Sequence, residues 1–199
     1  MKTNQLTINV NMGDSCEGAP TQIDGKPNAS FANSAEIINR LTEQAGSADE
    51  FDKIVDKAGF ASVKVNPFLA RPVQFNEEFH RVIGDGCIVL PTILGYKGGP
   101  THPSRLRVGE STPLGLIVSE RGVVESRLHR TSGKSDELRE GDEAILAFRS
   151  AEGRTVLKME MVVKGDGEGG VIITAKKCKC KDVVVIVLEA VVAIIKALS

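Results

Sequence analysis

The sequence predicts an α+β fold: a β-sandwich or barrel-like β-rich domain with an inserted helical hairpin and a C-terminal strand or helix segment. Three observations predict it. Residues 34–59 carry two successive stripes of helical spacing. Residues 87–175 carry short apolar runs separated by glycine-rich or charged turns. The last eighteen residues are almost wholly apolar. At 199 residues, 41% hydrophobic and 26% charged, the chain reads as one domain, 1–199, large enough to bury a core without disulfide staples.

The elements follow in order. Leu6, Ile8, Val10 and Met12 alternate with Thr7, Asn9 and Asn11, the period-two pattern of a half-buried strand. Residues 11–33, rich in Gly, Pro, Asn and Ser from Gly13 onward, read as an extended loop or arm. Residues 34–59 form the helical hairpin. Asn33 and Glu36 have capping-box spacing, and Ile37, Ile38, Leu41 and Ala45 make an apolar stripe. Ser47 and Glu50 repeat that spacing ahead of a second stripe, Phe51, Ile54, Val55 and Ala58, which Gly59 can end. Ala61, Val63 and Val65 suggest a strand ended by Pro67, and Asn76 to Ile83 a short helix.

Cys87 to Leu94 reads as a strand with an edge or bulge at Pro91. Two hairpins follow: Leu114–Ser119 with Val123–Leu128, and Ala144–Arg149 with Val156–Val163. Val171 to Ala175 is a further strand. In the segment 182–199, Asp182, Glu189 and Lys196 lie seven residues apart, which leaves one thin polar line on an otherwise apolar helix. Its β-branched first half favours a strand to about Leu188, and the stripe Val191, Ile194, Ile195 and Leu198 a helix beyond it. In either form the segment needs a partner surface, so these four residues are assembly candidates.

Composition excludes several classes. The net charge of -1 argues against a general polyanion binder. One Tyr, seven Phe and no Trp leave little for base stacking or carbohydrate platforms, so specific nucleic-acid recognition is not expected. Met1-Lys-Thr-Asn4 leads into a strand pattern and not a secretion signal, which places the protein in the cytoplasm or a virion. Val183 to Leu198 is 16 residues, about 24 Å as a helix against a hydrocarbon core of ~30 Å. It also contains Glu189 and Lys196, so a membrane role is the weaker reading.

No motif completes a catalytic or metal set. Gly133-Lys134-Ser135 lacks the glycine five residues earlier that a phosphate loop needs, because that position is Leu128. Glu77 and His80 share a helix face at i, i+3, without the second copy a di-iron bundle requires. Cys178 and Cys180 alternate with Lys177, Lys179 and Lys181, which reads first as a charged edge strand. Zinc would need two more ligands, from Cys16, Cys87 or a histidine. His102-Pro-Ser104 and His129-Arg-Thr131 both have the form His-x-Ser/Thr, and no activated nucleophile is identifiable beside either. No metal or cofactor is therefore expected.

The glycine-rich basic loop 95–107 offers Lys97, His102, Arg105 and Arg107 as anion-binding candidates. Charge is segregated along the chain. Residues 1–60 hold five basic and nine acidic side chains, whereas 97–134 hold seven basic and three acidic. An acidic helical hairpin and a basic β region could meet between copies.

These features favour a structural, self-assembling subunit of a homo-oligomeric assembly, such as a virion-type shell, tube or connector protein. Its partner is itself, with other assembly proteins compatible, and an enzyme is not the favoured class. The rivals are a small enzyme or anion- or nucleotide-binding protein built on His102, Arg105 and His129, and a membrane-active protein using the tail. Truncation after Lys181 is expected to abolish assembly or render the protein insoluble. A soluble truncated chain with the parent's oligomeric state would rule out a role for the tail in assembly.

Overall fold

The structure is a computed structural model and describes residues 6–11, 21–22, 31–43, 48–73, 77–167, 170–176 and 185–187. The strands are β1 (Leu6–Asn11), β2 (Thr21–Gln22), β3 (Arg71–Pro72), β4 (Ile88–Pro91), β5 (Ser111–Ser119), β6 (Gly122–Arg130), β7 (Glu143–Arg149), β8 (Thr155–Gly165), β9 (Val171–Ala175) and β10 (Val185–Val187). The helices are α1 (Phe31–Glu43), α2 (Ala48–Lys57) and α3 (Glu77–Ile83).

The architecture is α+β. The strands form one sheet in the order β10-β1-β9-β8-β7-β6-β5-β4-β3, with β2 beside β8. From β3 to β9 every neighbour is antiparallel, and this run curls into a half-barrel. One sheet thus stands where two packed sheets were an alternative. β1 then joins β9 in parallel, and β10 closes on β1 antiparallel.

Both faces of this sheet carry a core, which is why β5 is buried along nearly its whole length. On β6, Val124 and Leu128 point into one cluster with Phe79, Ile83, Leu106, Leu146 and Phe148. Val123, one residue away in the alternation, points into the other with Ile37, Ile54, Val55, Leu116 and Val118. A bulge in β5 switches its alternation. Leu114 and Ile117 share the first cluster, three positions apart, because the register shifts between Pro113 and Gly115. Gly115 has to be glycine, since a Cβ there would strike the Leu90 carbonyl of β4.

The two helices cover the second face; α2 buries the stripe read from its sequence, whereas α1 buries Ile37 and leaves Ile38 and Leu41 half-buried against the same cluster. Phe51, Ile54, Val55 and Ala58 are all buried. Gly59, at φ +92°, ends α2, and Phe60 N–H bonds Val55 O at 3.1 Å, the 6→1 bond of a Schellman cap. α1 begins at Phe31, so Asn33 lies inside its first turn and not at its cap. Glu36 instead reaches across to Lys57 of α2 at 3.3 Å, while Arg40 approaches Glu50 at 3.8 Å. Ser47 and Ala45 lie outside the described residues.

Other expectations are corrected. Ala61, Val63 and Val65 form no strand. Val65 makes a single bridge to Thr92, because Asn66 then caps a 3-10 turn at Pro67–Leu69, its Oδ1 accepting Phe68 N–H at 3.1 Å. The strand expected over Cys87–Leu94 shortens to β4, ending at Pro91. Within the stretch 11–33, Thr21–Gln22 pairs with β8 and α1 starts early. In the C-terminal segment the structure describes one strand, Val185–Val187. The helix expected from Glu189, with Val191, Ile194, Ile195 and Leu198, lies outside the described residues, as do Cys16, Cys178 and Cys180.

One buried ion pair ties the loops to the sheet. Arg130, fully buried at the end of β6, donates to Asp142 Oδ2 at 2.7 Å, Leu106 O at 2.8 Å and Ser132 O at 3.1 Å. The same Asp142 oxygen accepts Arg139 N–H at 2.9 Å. Asp142→Ala would strand the guanidinium and is expected to cost about 3–5 kcal/mol, read as a lowered urea midpoint at constant slope. An unchanged midpoint would mean that water replaces the carboxylate.

Candidate interaction surface

The connection from β4 to β5 is held at both ends by backbone bonds. Ile93 N–H donates to Lys64 O at 2.8 Å, Thr92 N–H to Leu114 O at 3.0 Å, and Asn66 N–H to Pro91 O at 2.8 Å. Gly99 N–H closes a turn on Tyr96 O at 2.9 Å, and a Cβ on Gly99 would collide with the Tyr96 ring. Farther on, Thr112 Oγ1 donates to Thr101 O at 2.5 Å.

His102 is the N-cap of a second 3-10 turn, Pro103–Arg105. Its Nδ1 accepts Ser104 N–H at 3.3 Å and lies 2.7 Å from Ser104 Oγ. A backbone donor fixes Nδ1 as an acceptor, which puts the ring proton on Nε2. Burial, with the neighbouring Arg105 charge, holds His102 below its ordinary value of 6.5. The turn is also bolted to the core, through Leu138 N–H to Ser104 O at 3.0 Å and Arg130 to Leu106 O. The Ser104–His102 contact is thus a local cap whose acceptor is shared with the backbone.

Lys97, Arg105 and Arg107 are exposed on this connection, and among the described residues no ion-pair partner meets any of them. His129 is not brought to them. It neighbours Arg130 on β6, so its side chain leaves the opposite face of the strand from the guanidinium that reaches Leu106. Two arms of the notional His102/Arg105/His129 site therefore lie on opposite sides of β6.

The same region holds what the sequence reading missed. Among the described residues, the exposed large apolar side chains are Phe68, Ile93, Tyr96 and Val108, with Phe68 86% exposed. Lys64 lies beside Ile93 through the backbone bond and pairs with Asp52 of α2 at 2.7 Å. Donating to the Asp52 carboxylate raises the Lys64 ammonium above its ordinary value, and the Asp56 charge adds to this. Asp52 of α2, Lys64 and Ile93 of the β4–β5 connection are thus neighbours in space. The available signal was Tyr96, the chain's only tyrosine, inside a glycine-rich loop.

Elsewhere the candidate chemistry is occupied by structure. His80 Nδ1 lies 3.1 Å from both Gly84 O and Asp85 Oδ1. The Cys87 thiol donates to Gly84 O at 3.1 Å, and burial pushes it up to about 12, so it holds no reactive thiolate. Ser135 Oγ donates to Glu137 O within an irregular loop, and no helix of the described residues follows Lys134. Among the described residues no three His, Cys, Asp or Glu side chains converge as metal ligands, and no helix is long and apolar enough to cross a membrane. The chain matches no family model, no curated protein and no solved structure.

A pH experiment checks the role of His102. Unfolded, it titrates near its ordinary value; folded, it titrates lower, so the native state binds fewer protons. Its effect on stability is nil above about pH 6.5 and grows unfavourable as pH falls through that value. His102→Asn keeps a capping acceptor and removes the titration. The variant is expected to lose less stability than the parent between about pH 7 and pH 5 in denaturant melts. Equal losses would show that His102 does not carry the effect.

Proposed function

We propose that this chain is a structural subunit that assembles with copies of itself, of the kind that builds virion-type shells, tubes or connectors. The observation that carries this reading is the surface on the β4–β5 connection. Ile93, Tyr96 and Val108 stand exposed there, Phe68 projects from the adjoining segment, and among the described residues no partner charge meets Lys97, Arg105 or Arg107. Exposed aromatic and aliphatic side chains interleaved with arginine are what protein interfaces are enriched in. α2 presents Asp49 and Asp56, exposed, as a complementary charge on the same molecule.

In this reading α1 and α2 form an inserted helical hairpin on the sheet, and residues 182–199 supply a second contact through Val191, Ile194, Ile195 and Leu198. An anion-binding protein is the second reading, favoured by the same three unpaired cations on a glycine-rich loop. Light scattering after gel filtration separates the two. Self-assembly expects a discrete oligomer at low salt that shifts toward monomer in Arg105→Glu/Arg107→Glu. A monomeric parent that binds inorganic phosphate by calorimetry, and loses it in the same variant, would replace assembly with anion binding.

A further inference from the structure

Side chains along one face of β7 carry a charge order that one symmetry makes complementary. Leu146 and Phe148 enter the first core cluster. Glu143, Ile145, Ala147 and Arg149 alternate with them, so they leave the other face of the sheet, each half-buried. That is the face α1 covers over β5 and β6. Among the described residues, Ile145 and Ala147 join neither core cluster. β7 thus presents acid, apolar, apolar and base in a row on one face.

The strand register carries the same order sideways. Lys158 of β8 and Arg127 of β6 lie opposite Ala147, and Glu160 of β8 lies opposite Ile145. Glu125 lies opposite Arg149 and pairs with Arg127 at 2.8 Å. Lys176 pairs with Glu143 at 2.8 Å and with Glu160 at 3.4 Å. The Arg149 half therefore sets Arg127, Arg149 and Lys158 against Glu125, and the Glu143 half sets Glu143 and Glu160 against Lys176. Each half keeps an excess of its own sign.

Two such faces can meet about a two-fold axis in two orientations. An axis along β7 puts Arg149 on Arg149, Glu143 on Glu143 and Lys158 on Arg127 of the other copy, which sets like charges together. An axis across the strands, between Ala147 and Ile145, reverses the order. Arg149 then faces Glu143 of the other copy, Lys158 faces Glu160, and Ala147 faces Ile145, each contact being made twice.

We propose that this face of β7, with Lys158 and Glu160 of β8 beside it, is a contact between two copies of the chain related by a two-fold axis that crosses the strands between Ala147 and Ile145. This rests on the self-assembly reading and gives it a second surface with a defined symmetry. Three strands wide and four residues of one face long, the patch is about 10 Å by 20 Å, below the ~800 Å² per partner of stable complexes, so it works beside other contacts of the assembly.

Charge exchange tests the orientation. Lys158→Glu would face Glu160 of the other copy, and Glu160→Lys would face Lys158. Each alone should raise the concentration at which the assembly dissociates in light scattering by about tenfold or more. Mixing the two variants, or combining them in one chain, returns opposite charges to every pair and should restore the mass. Urea midpoints near the parent's establish that both variants fold. Proximity is tested with Ala147→Cys in a background of Cys16→Ser, Cys178→Ser and Cys180→Ser, with the buried Cys87 retained. A short bismaleimide should join two chains into a dimer of twice 21.3 kDa, whereas Glu152→Cys, exposed on the β7–β8 turn, stays single.

A parent that is monomeric overturns both the self-assembly reading and this contact. An assembled parent whose mass neither charge variant lowers, or whose Ala147→Cys form does not link, overturns this contact alone and leaves assembly through another surface. Single variants that weaken assembly without recovery on mixing overturn the two-fold orientation. So does a Lys158→Glu chain that assembles more tightly, the result an axis along β7 would give by pairing it with Arg127.

Discussion

A guanidinium with no solvent exposure has to be answered by protein, and Arg130 is answered by three separate parts of the chain. Leu106 comes from the β4–β5 connection, Ser132 and Asp142 from the two ends of the β6–β7 connection. Asp142 O also accepts Val163 N–H of β8, so the anchor extends into the sheet. Space around the pair is full: Gly133, at φ +141°, has room for no Cβ against either partner. Replacing a buried pair with apolar residues can be neutral, whereas removing one partner is costly. What the pair contributes here is position. It sets where the Pro103–Arg105 turn leaves the core, and hence where Arg105 and Arg107 emerge.

The second constraint is a sheet buried on both faces. β5 must be apolar on both sides and must also lie close to β4, which Gly115 permits and Pro113 complicates. The bulge between them resolves this by shifting the register once, so Leu114 and Ile117 serve one core while Leu116 and Val118 serve the other. Beyond the reach of the helices the second face turns polar. On β6 the alternation that begins with Val123 continues as Glu125, Arg127 and His129, and Arg127 donates to Glu125 at 2.8 Å.

Groups that look reactive in isolation are consumed by the fold. His102 caps a turn, Cys87 donates to a carbonyl from a buried site, and His80 closes the end of α3 against Gly84 and Asp85. Among the described residues, the β4–β5 connection keeps exposed cations and apolar side chains, and α2 keeps exposed carboxylates. Exposed apolar side chains such as Ile93 and Tyr96 gain from leaving water, and exposed charges pair in a way that salt screens.

The sequence alone determined the parts whose causes are local. The stripe Phe51, Ile54, Val55, Ala58 with Gly59 after it specifies a helix and its end, because one turn of spacing and one left-handed residue suffice. The hairpins around Glu120-Arg121 and Ser150–Arg154 were legible for the same reason: apolar alternation changes phase at a turn. The two-residue strands Thr21–Gln22 and Arg71–Pro72 were not legible, since nothing but their partners makes them strands. Asn33 read as a cap, yet Glu36 was taken by Lys57, twenty-one residues away. Lys97, Arg105 and Arg107 were legible as exposed cations because loop composition marks them. The meeting of Asp52 with Lys64 and of Lys64 with Ile93 was not, and neither was the burial of Arg130, one arginine among many in a basic stretch. Those depend on pairs such as 52 with 64, 64 with 93 and 106 with 130. Only closure of the chain brings such residues within hydrogen-bonding reach, so tertiary structure decided them.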